Sequence, residues 1–174
     1  GTTAIQMASA MGIKVIATAG SDEKCTACEN LGAFKAINYR EQDFVQACQE
    51  ITGTGVNVIL DMVGGDYVQQ NFAACAPKAR IVSIAFLRGS KVEVDLMPLM
   101  IKQLVLTGST LRAQPIENKA RIAAGVEAQV WPLIAQGKFK PVINSSFPLA
   151  QASEAHTLME TNQHIGKLLL TTSS

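Results

Sequence analysis

Helix-like stretches and short apolar runs alternate along this chain, joined by brief polar or glycine-rich connections. Gly1 is followed by Thr2–Met11, which reads as a helix closed by Gly12, and Lys14–Thr18 reads as a strand. Ser21–Leu31 predicts the next helix, with Ser21 as N-cap, Asp22 and Glu23 in the first turn and Gly32 as its stop. Lys35–Tyr39 predicts a short strand. Asp43–Ile51 predicts a helix with Phe44, Val45, Cys48 and Ile51 on one face. After the Thr52–Gly55 turn, Val56–Asp61 reads as a buried strand. Gly64 and Gly65 open another turn, Asp66–Cys75 reads as a helix and Arg80–Phe86 as a second buried strand. Beyond the Leu87–Lys91 loop come a short helix at Pro98–Gln103, a strand at Leu104–Gly108 and a long helix at Ile116–Gln136. Val142–Phe147 is extended, Leu149–Thr161 helical and Lys167–Thr171 a final strand.

Strands and helices that alternate in this way, with near-continuous apolar strands, call for a parallel sheet covered on both faces. The expected class is α/β, a doubly wound parallel sheet of the Rossmann type. In that frame Thr2–Met11 is the first helix of a dinucleotide-binding βαβ unit, and Gly1 is the last glycine of its G-x-G-x-x-G turn. The first strand and the earlier glycines are then expected to be missing from the sequence. The best internal boundary falls near Gly137. It divides a dinucleotide-binding domain, residues 1–136, from a C-terminal segment, residues 137–174.

Composition narrows this picture without changing it. The chain has 174 residues, 48% apolar and 5% aromatic, which suits one domain with a core of Val, Ile, Leu and Ala. A formal net charge of +1 gives no ground for a nucleic-acid partner. No apolar stretch approaches a membrane span, and the first residues lack the basic and apolar regions of a signal peptide. Cys25, Cys28, Cys48 and Cys75 fall in helical patterns, as reduced thiols of a cytoplasmic protein would. Cys25 and Cys28 form a C-x-x-C, readable as helix thiols, a redox pair or half a metal site. No second pair completes a zinc site, and Cys25 lies a turn inside its helix rather than at its start, so the helix-thiol reading is favoured. No catalytic triad, metal motif or carboxylate pair stands out. His156 shares a helix side with Ala152, Ala155 and Met159 and reads as a core histidine.

Ligands of such folds bind at the carboxyl ends of the strands. After Thr18 come Ala19 and Gly20, where an NAD site would carry an acid for the ribose 2′-hydroxyl. Small residues there, a positive helix N-terminus at Ser21 and a cation one turn on at Lys24 favour a 2′-phosphate, and so NADP. Asp22 and Glu23 are the acids that an NAD site would use, and they also suit the helix dipole. Tyr39, followed by Arg40, could lie along an adenosine or be simply a strand-end tyrosine. Asp61–Gly65 follows the next strand, and its glycines would admit a cofactor or simply make a tight turn; Ala85–Gly89 follows the strand after, where a nicotinamide would lie against backbone. Phe86 also reads as a core residue.

In order and spacing, G-T-T-A-I-Q, V-I-A-T-A-G-S-D-E-K, I-N-Y-R-E-Q-D-F, I-L-D-M-V-G-G, G-S-T-L-R and H-I-G-K-L-L-L resemble the NADPH:quinone oxidoreductases. These form the zinc-free branch of the medium-chain dehydrogenase/reductase superfamily. The resemblance implies that Gly20, Ser21, Lys24 and Tyr39 hold the 2′-phosphate of NADPH. It puts Val63 near the ribose and nicotinamide, and Ala85, Phe86 and Leu87 along the carboxamide. Thr110, Leu111 and Arg112 would line the nicotinamide end, and His164 falls where relatives often carry a polar residue such as Asn. An N-terminal GroES-like β domain would complete the substrate cleft and pack against Val142–Phe147 and Lys167–Thr171. The implied reaction is hydride transfer to a quinone, an enone or a similar electron-poor acceptor, without a metal. The strand near Leu104–Thr107 would pair across a two-fold axis in a homodimer. An enoyl or alkene reductase of the same superfamily and a non-catalytic NADPH-binding protein are the alternatives. No residue of this chain is singled out as catalytic.

Overall fold

A computed structural model describes residues 1–172; Ser173 and Ser174, the end of the expected C-terminal segment, lie outside the described residues. The elements run α1 (Thr2–Ala10), β1 (Ile16–Ala19), α2 (Asp22–Asn30), β2 (Lys35–Asn38), α3 (Phe44–Thr52), β3 (Val56–Asp61), α4 (Tyr67–Ala74) and β4 (Cys75–Ser83). They continue with α5 (Met97–Ile101), β5 (Val105–Gly108), α6 (Ile116–Gln129), α7 (Trp131–Ala135), β6 (Ile143–Pro148), a 3₁₀ turn, α8 (Ala152–Glu160) and β7 (Lys167–Thr171). The fold is α/β and every strand pairing is parallel: β1 with β2, β3 with β4 and β5 in that order, and β6 with β7. The chain divides into two compact units, residues 1–40 together with the segment from Ala123 onward, and Glu41–Ile122.

In the first unit β1 pairs with β2 from Ile16↔Lys35 to Ala19↔Asn38. Tyr39 N–H donates to the Ala19 carbonyl (3.0 Å) and carries the ladder one residue further. α2 starts as its sequence demands. Ser21 is extended, and its Oγ accepts the Lys24 N–H (3.3 Å), satisfying one of the helix's orphan donors. The far end of α2 is tied to β2 through Glu29, whose Oε1 accepts the Ala36 N–H (3.1 Å) and pairs with Lys35 (3.3 Å). The Ala36 N–H first, then Lys35, hold its carboxyl below the ordinary value. Gln6 reaches Lys140 through both ends of its amide, accepting the Lys140 N–H (3.0 Å) and donating to its carbonyl (2.9 Å).

The second unit is built on β3, β4 and β5. Val68, Phe72, Cys75, Ala79, Ile81 and Leu104 form its core, with Ile59, Val94 and Leu99 packed against them. Phe44 and Tyr67 stack with ring centroids 5.6 Å apart, and the Arg88 guanidinium lies 5.1 Å over the Tyr67 ring. Asp43 caps α3 by accepting the Val45 (2.8 Å) and Gln46 (3.3 Å) N–H groups, and Gly53 ends it in the left-handed region at φ 77°.

Four expectations change. The long helix at 116–136 is two helices, because Pro132 cannot continue a helix from within and instead sits in the first turn of α7. β4 begins at Cys75 but pairs regularly with β3 only from Arg80; Ala76–Ala79 bulge between, with Lys78 at φ 62°. It stops at Ser83, short of Phe86. β3 was expected to be buried, yet Val58 is 64% and Leu60 49% exposed, because nothing among the described residues covers that face of the strand. His156 is exposed: α8 turns Ala152, Ala155 and Leu158 inward, a stripe that leaves His156 and Met159 outside.

Candidate functional site

The first unit brings four of the expected site residues to one place, the carboxyl ends of β1 and β2. A Cβ added to Gly20 would lie 2.7 Å from the Tyr39 hydroxyl oxygen and 3.1 Å from its Cζ. Only glycine admits the tyrosine in this position. Arg40 lies beside them, its Nε 3.5 Å from the same point. Ser21 follows at the N-terminus of α2, where unpaired backbone donors and the helix dipole favour an anion. Lys24 stands one turn on, and its ammonium donates to the Asn162 carbonyl. A small anion here would meet a hydroxyl, a helix N-terminus and cations, and the glycine keeps the approach open. The residues therefore fit a 2′-phosphate.

The acids beside this cradle are both exposed but not equivalent: Asp22 Oδ1 accepts from Asn38 Nδ2 (2.8 Å), tying this carboxylate to β2. Asn38 is buried, and its Oδ1 accepts the Arg40 N–H (3.2 Å). His164 is half-buried; its Nδ1 is enclosed and has no hydrogen-bond partner among the described residues. Gly1 is exposed and its carbonyl accepts the Ile5 N–H (3.1 Å) at the start of α1; a Cβ there would meet nothing within 4 Å. Cys25 is buried inside α2 and Cys28 half-buried. Burial, then Asp22 and Glu29, push the Cys25 thiol up; burial, then Cys25, do the same for Cys28. Both shifts oppose the thiolate that a redox pair needs.

In the second unit, the loops after β3 and β4 are zipped together along their backbones. Ile84, Leu87 and Arg88 donate to the carbonyls of Asp61 (2.7 Å), Met62 (3.2 Å) and Val63 (2.8 Å), and Gly65 donates to Gly89 (3.0 Å). Gly64 and Gly65 have φ of 66° and 57°, and a Cβ on Gly64 would lie 2.7 Å from the Gly89 carbonyl oxygen. The buried Asp61 sets the turn, its Oδ1 accepting the Val63 (2.8 Å) and Gly64 (3.2 Å) N–H groups. Val63 is thereby fixed beside Ala85–Leu87, with Phe86 and Leu87 exposed. Phe86 is thus a surface residue, not a core one. Thr110, Leu111 and Arg112 lie on an exposed loop that leaves β5 where Ser109 N–H meets the Ser83 carbonyl (3.0 Å). The Arg112 carbonyl accepts from Lys119 (2.9 Å). Among the described residues no three His, Cys, Asp or Glu side chains cluster as metal ligands. No helix among them is long and apolar enough to cross a membrane.

Residues 1–125 match the family described as zinc-binding dehydrogenase. A quinone oxidoreductase-like protein 2 of Bos taurus is 32% identical over 90% of this chain and 45% of its own. The chain belongs to this family. A 2-haloacrylate reductase of Burkholderia is 28% identical over 92% of the chain and 48% of its own length. Among solved structures, the Escherichia coli quinone oxidoreductase complexed with NADPH superposes with a TM-score of 0.84 at 32% identity. That match covers 98% of this chain and 53% of the solved one. The chain spans about half the length of the curated relatives it matches. As a member of this family it has the Rossmann-type fold that the strand and helix pattern calls for.

Sequence reasoning missed three residues of the first unit. Arg40 was in view but given no part. Asn38 was hidden in an apolar strand, and the Asn162 carbonyl leaves no trace in a side-chain pattern.

Proposed function

We propose that this chain is the cofactor-binding half of an oxidoreductase that passes hydride from NADPH to a quinone or a similar electron-poor acceptor. The observation that carries the reading is the Tyr39 hydroxyl seated over Gly20 at the N-terminus of α2, with Lys24 and Arg40 at hand. Ser21 and Lys24 would hold a 2′-phosphate, while Tyr39 would cap it. In the second unit, Val63, the Ala85–Leu87 backbone, Thr110, Leu111 and Arg112 would serve the nicotinamide end; in the first, Gly1 would serve the pyrophosphate and His164 would be a polar contact to the cofactor. NADPH supplies the hydride when bound; the protein's part is to orient it and exclude water. As in the zinc-free branch, hydride would go straight to the acceptor. Residues 1–136 would form the cofactor domain, with 137–174 bridging to a GroES-like β domain. The protein would be cytoplasmic and homodimeric through β5. That strand pairs only with β4 among the described residues and exposes Val105 and Leu106.

An alkene reductase is the second reading, and the likeness to a 2-haloacrylate reductase favours it. The test is NADPH consumption by the full-length protein, with quinones, enones and 2-haloacrylates offered in parallel. Turnover fastest with quinones is the expected result. Turnover confined to the alkenes moves the assignment to the second reading, and NADPH binding without any turnover contradicts both.

A further inference from the structure

We propose that Asn38 fixes the cofactor choice of this site by holding the Asp22 carboxylate off the 2′-phosphate cradle. The proposal rests on the NADPH reading and extends it to a residue outside the phosphate-holding set. The sequence of α2 contains a conflict. Its first turn carries the N-cap Ser21 and Lys24, which suit a phosphate, and also Asp22, which does not. A carboxylate free to turn toward Gly20 would repel a 2′-phosphate and accept the 2′-hydroxyl of NADH instead.

Asn38 resolves the conflict through both ends of one amide. It is 8% exposed, so its polar atoms need protein partners. Its Oδ1 takes the Arg40 N–H (3.2 Å), which leaves its NH₂ to face Asp22 Oδ1 (2.8 Å). The backbone N–H therefore dictates which end of the amide meets the carboxylate. Side chains of successive residues leave a strand on opposite faces. Tyr39, still on the ladder through its bond to Ala19, sends its hydroxyl over Gly20. Asn38 leaves on the other face and takes Asp22 there. The carboxylate is held away from the tyrosine, and its charge is partly met by an amide donor and the helix dipole. An aspartate at 38 would have no donor for Asp22 and would repel it; a leucine could bond neither partner.

The test is a set of titrations of the full-length protein with NADPH and NADH, comparing wild type, Asn38→Ala, Asp22→Asn and the double variant. Wild type is expected to prefer NADPH. Asn38→Ala should raise the NADPH Kd about tenfold, as a newly freed charge beside a phosphate would, and leave the NADH Kd within about twofold. Asp22→Asn alone should change NADPH binding less than about twofold, because the carboxylate is already turned away. In the double variant NADPH binding should return toward wild type. Equal weakening of both cofactors by Asn38→Ala, or a double variant no better than the single one, would reduce Asn38 to a structural role and overturn the proposal. Asp22→Asn sits on the surface and decides the matter even if Asn38→Ala unfolds. About tenfold tighter NADPH binding by that variant would mean the carboxylate already faces the phosphate. A wild-type protein with no preference for NADPH overturns the cofactor reading itself, and this proposal with it.

Discussion

In the proposed site Lys24 and Gly20 would do different work. Gly20 would contribute the absence of a side chain, and Lys24 a charge that a neutral cofactor edge does not need. Lys24→Ala should therefore weaken NADPH binding by about 1–3 kcal/mol and barely change NADH. Calorimetry with both cofactors checks this, and equal losses would remove Lys24 from the phosphate's partners. The thiols answer to burial. Cys75 is buried in the core of the second unit, and burial pushes its pKa up to about 11 from 9.0, Lys102 pulling the other way. A thiol whose folded pKa is raised favours folding while it stays protonated. That stability is present in full below pH 9 and is lost as pH rises toward 11. Urea unfolding across this window should show the loss, and Cys75 should resist alkylation until the protein unfolds. At this scale the sequence was partly legible. Ser21 announced itself as a cap because the serine, the acids and the stop glycine lie on one short stretch. Asn38 did not, because its partners Asp22 and Arg40 meet it only after β2 has paired with β1. His156 was misread by one helix position: Leu158, not Met159, completes the inner stripe.

At the scale of elements, ends matter more than interiors. The C-terminus of α4 is closed by a residue 28 positions beyond it. Lys102 Nζ donates to the carbonyls of Phe72 (3.0 Å), Ala73 (2.9 Å) and Cys75 (2.8 Å), the groups a helix leaves unpaired at its last turn. Lys102→Met keeps the stem and removes the donors. It should cost about 1–3 kcal/mol of stability in urea unfolding, the scale of charged hydrogen bonds at a helix end. A variant as stable as wild type would show that the carbonyls find other partners. β3 was legible to the residue because Gly55 and the Asp61 turn bound its apolar run. β4 was not, since its first residue, Cys75, reads as the end of the preceding helix and 76–79 are given no element. The pairing in fact starts at Cys75, skips a bulge and resumes at Arg80.

For the whole molecule, the class of fold was plain from alternation alone. Solvation of its faces was not, because periodicity tells which side chains share a face and is silent on what covers it. Val58 and Leu60 are apolar at strand spacing and still exposed. The functional reading lives at this scale too, since the relatives whose names carry an activity are about twice as long as this chain. The claim closest to this chain is narrower: the ends of β1 and β2 make a site for a 2′-phosphate. The most direct test is a calorimetric titration with NADPH and, in parallel, NADH. A clear preference for NADPH is the expected result. A preference for NADH would give the ribose to Asp22 or Glu23 and contradict the account.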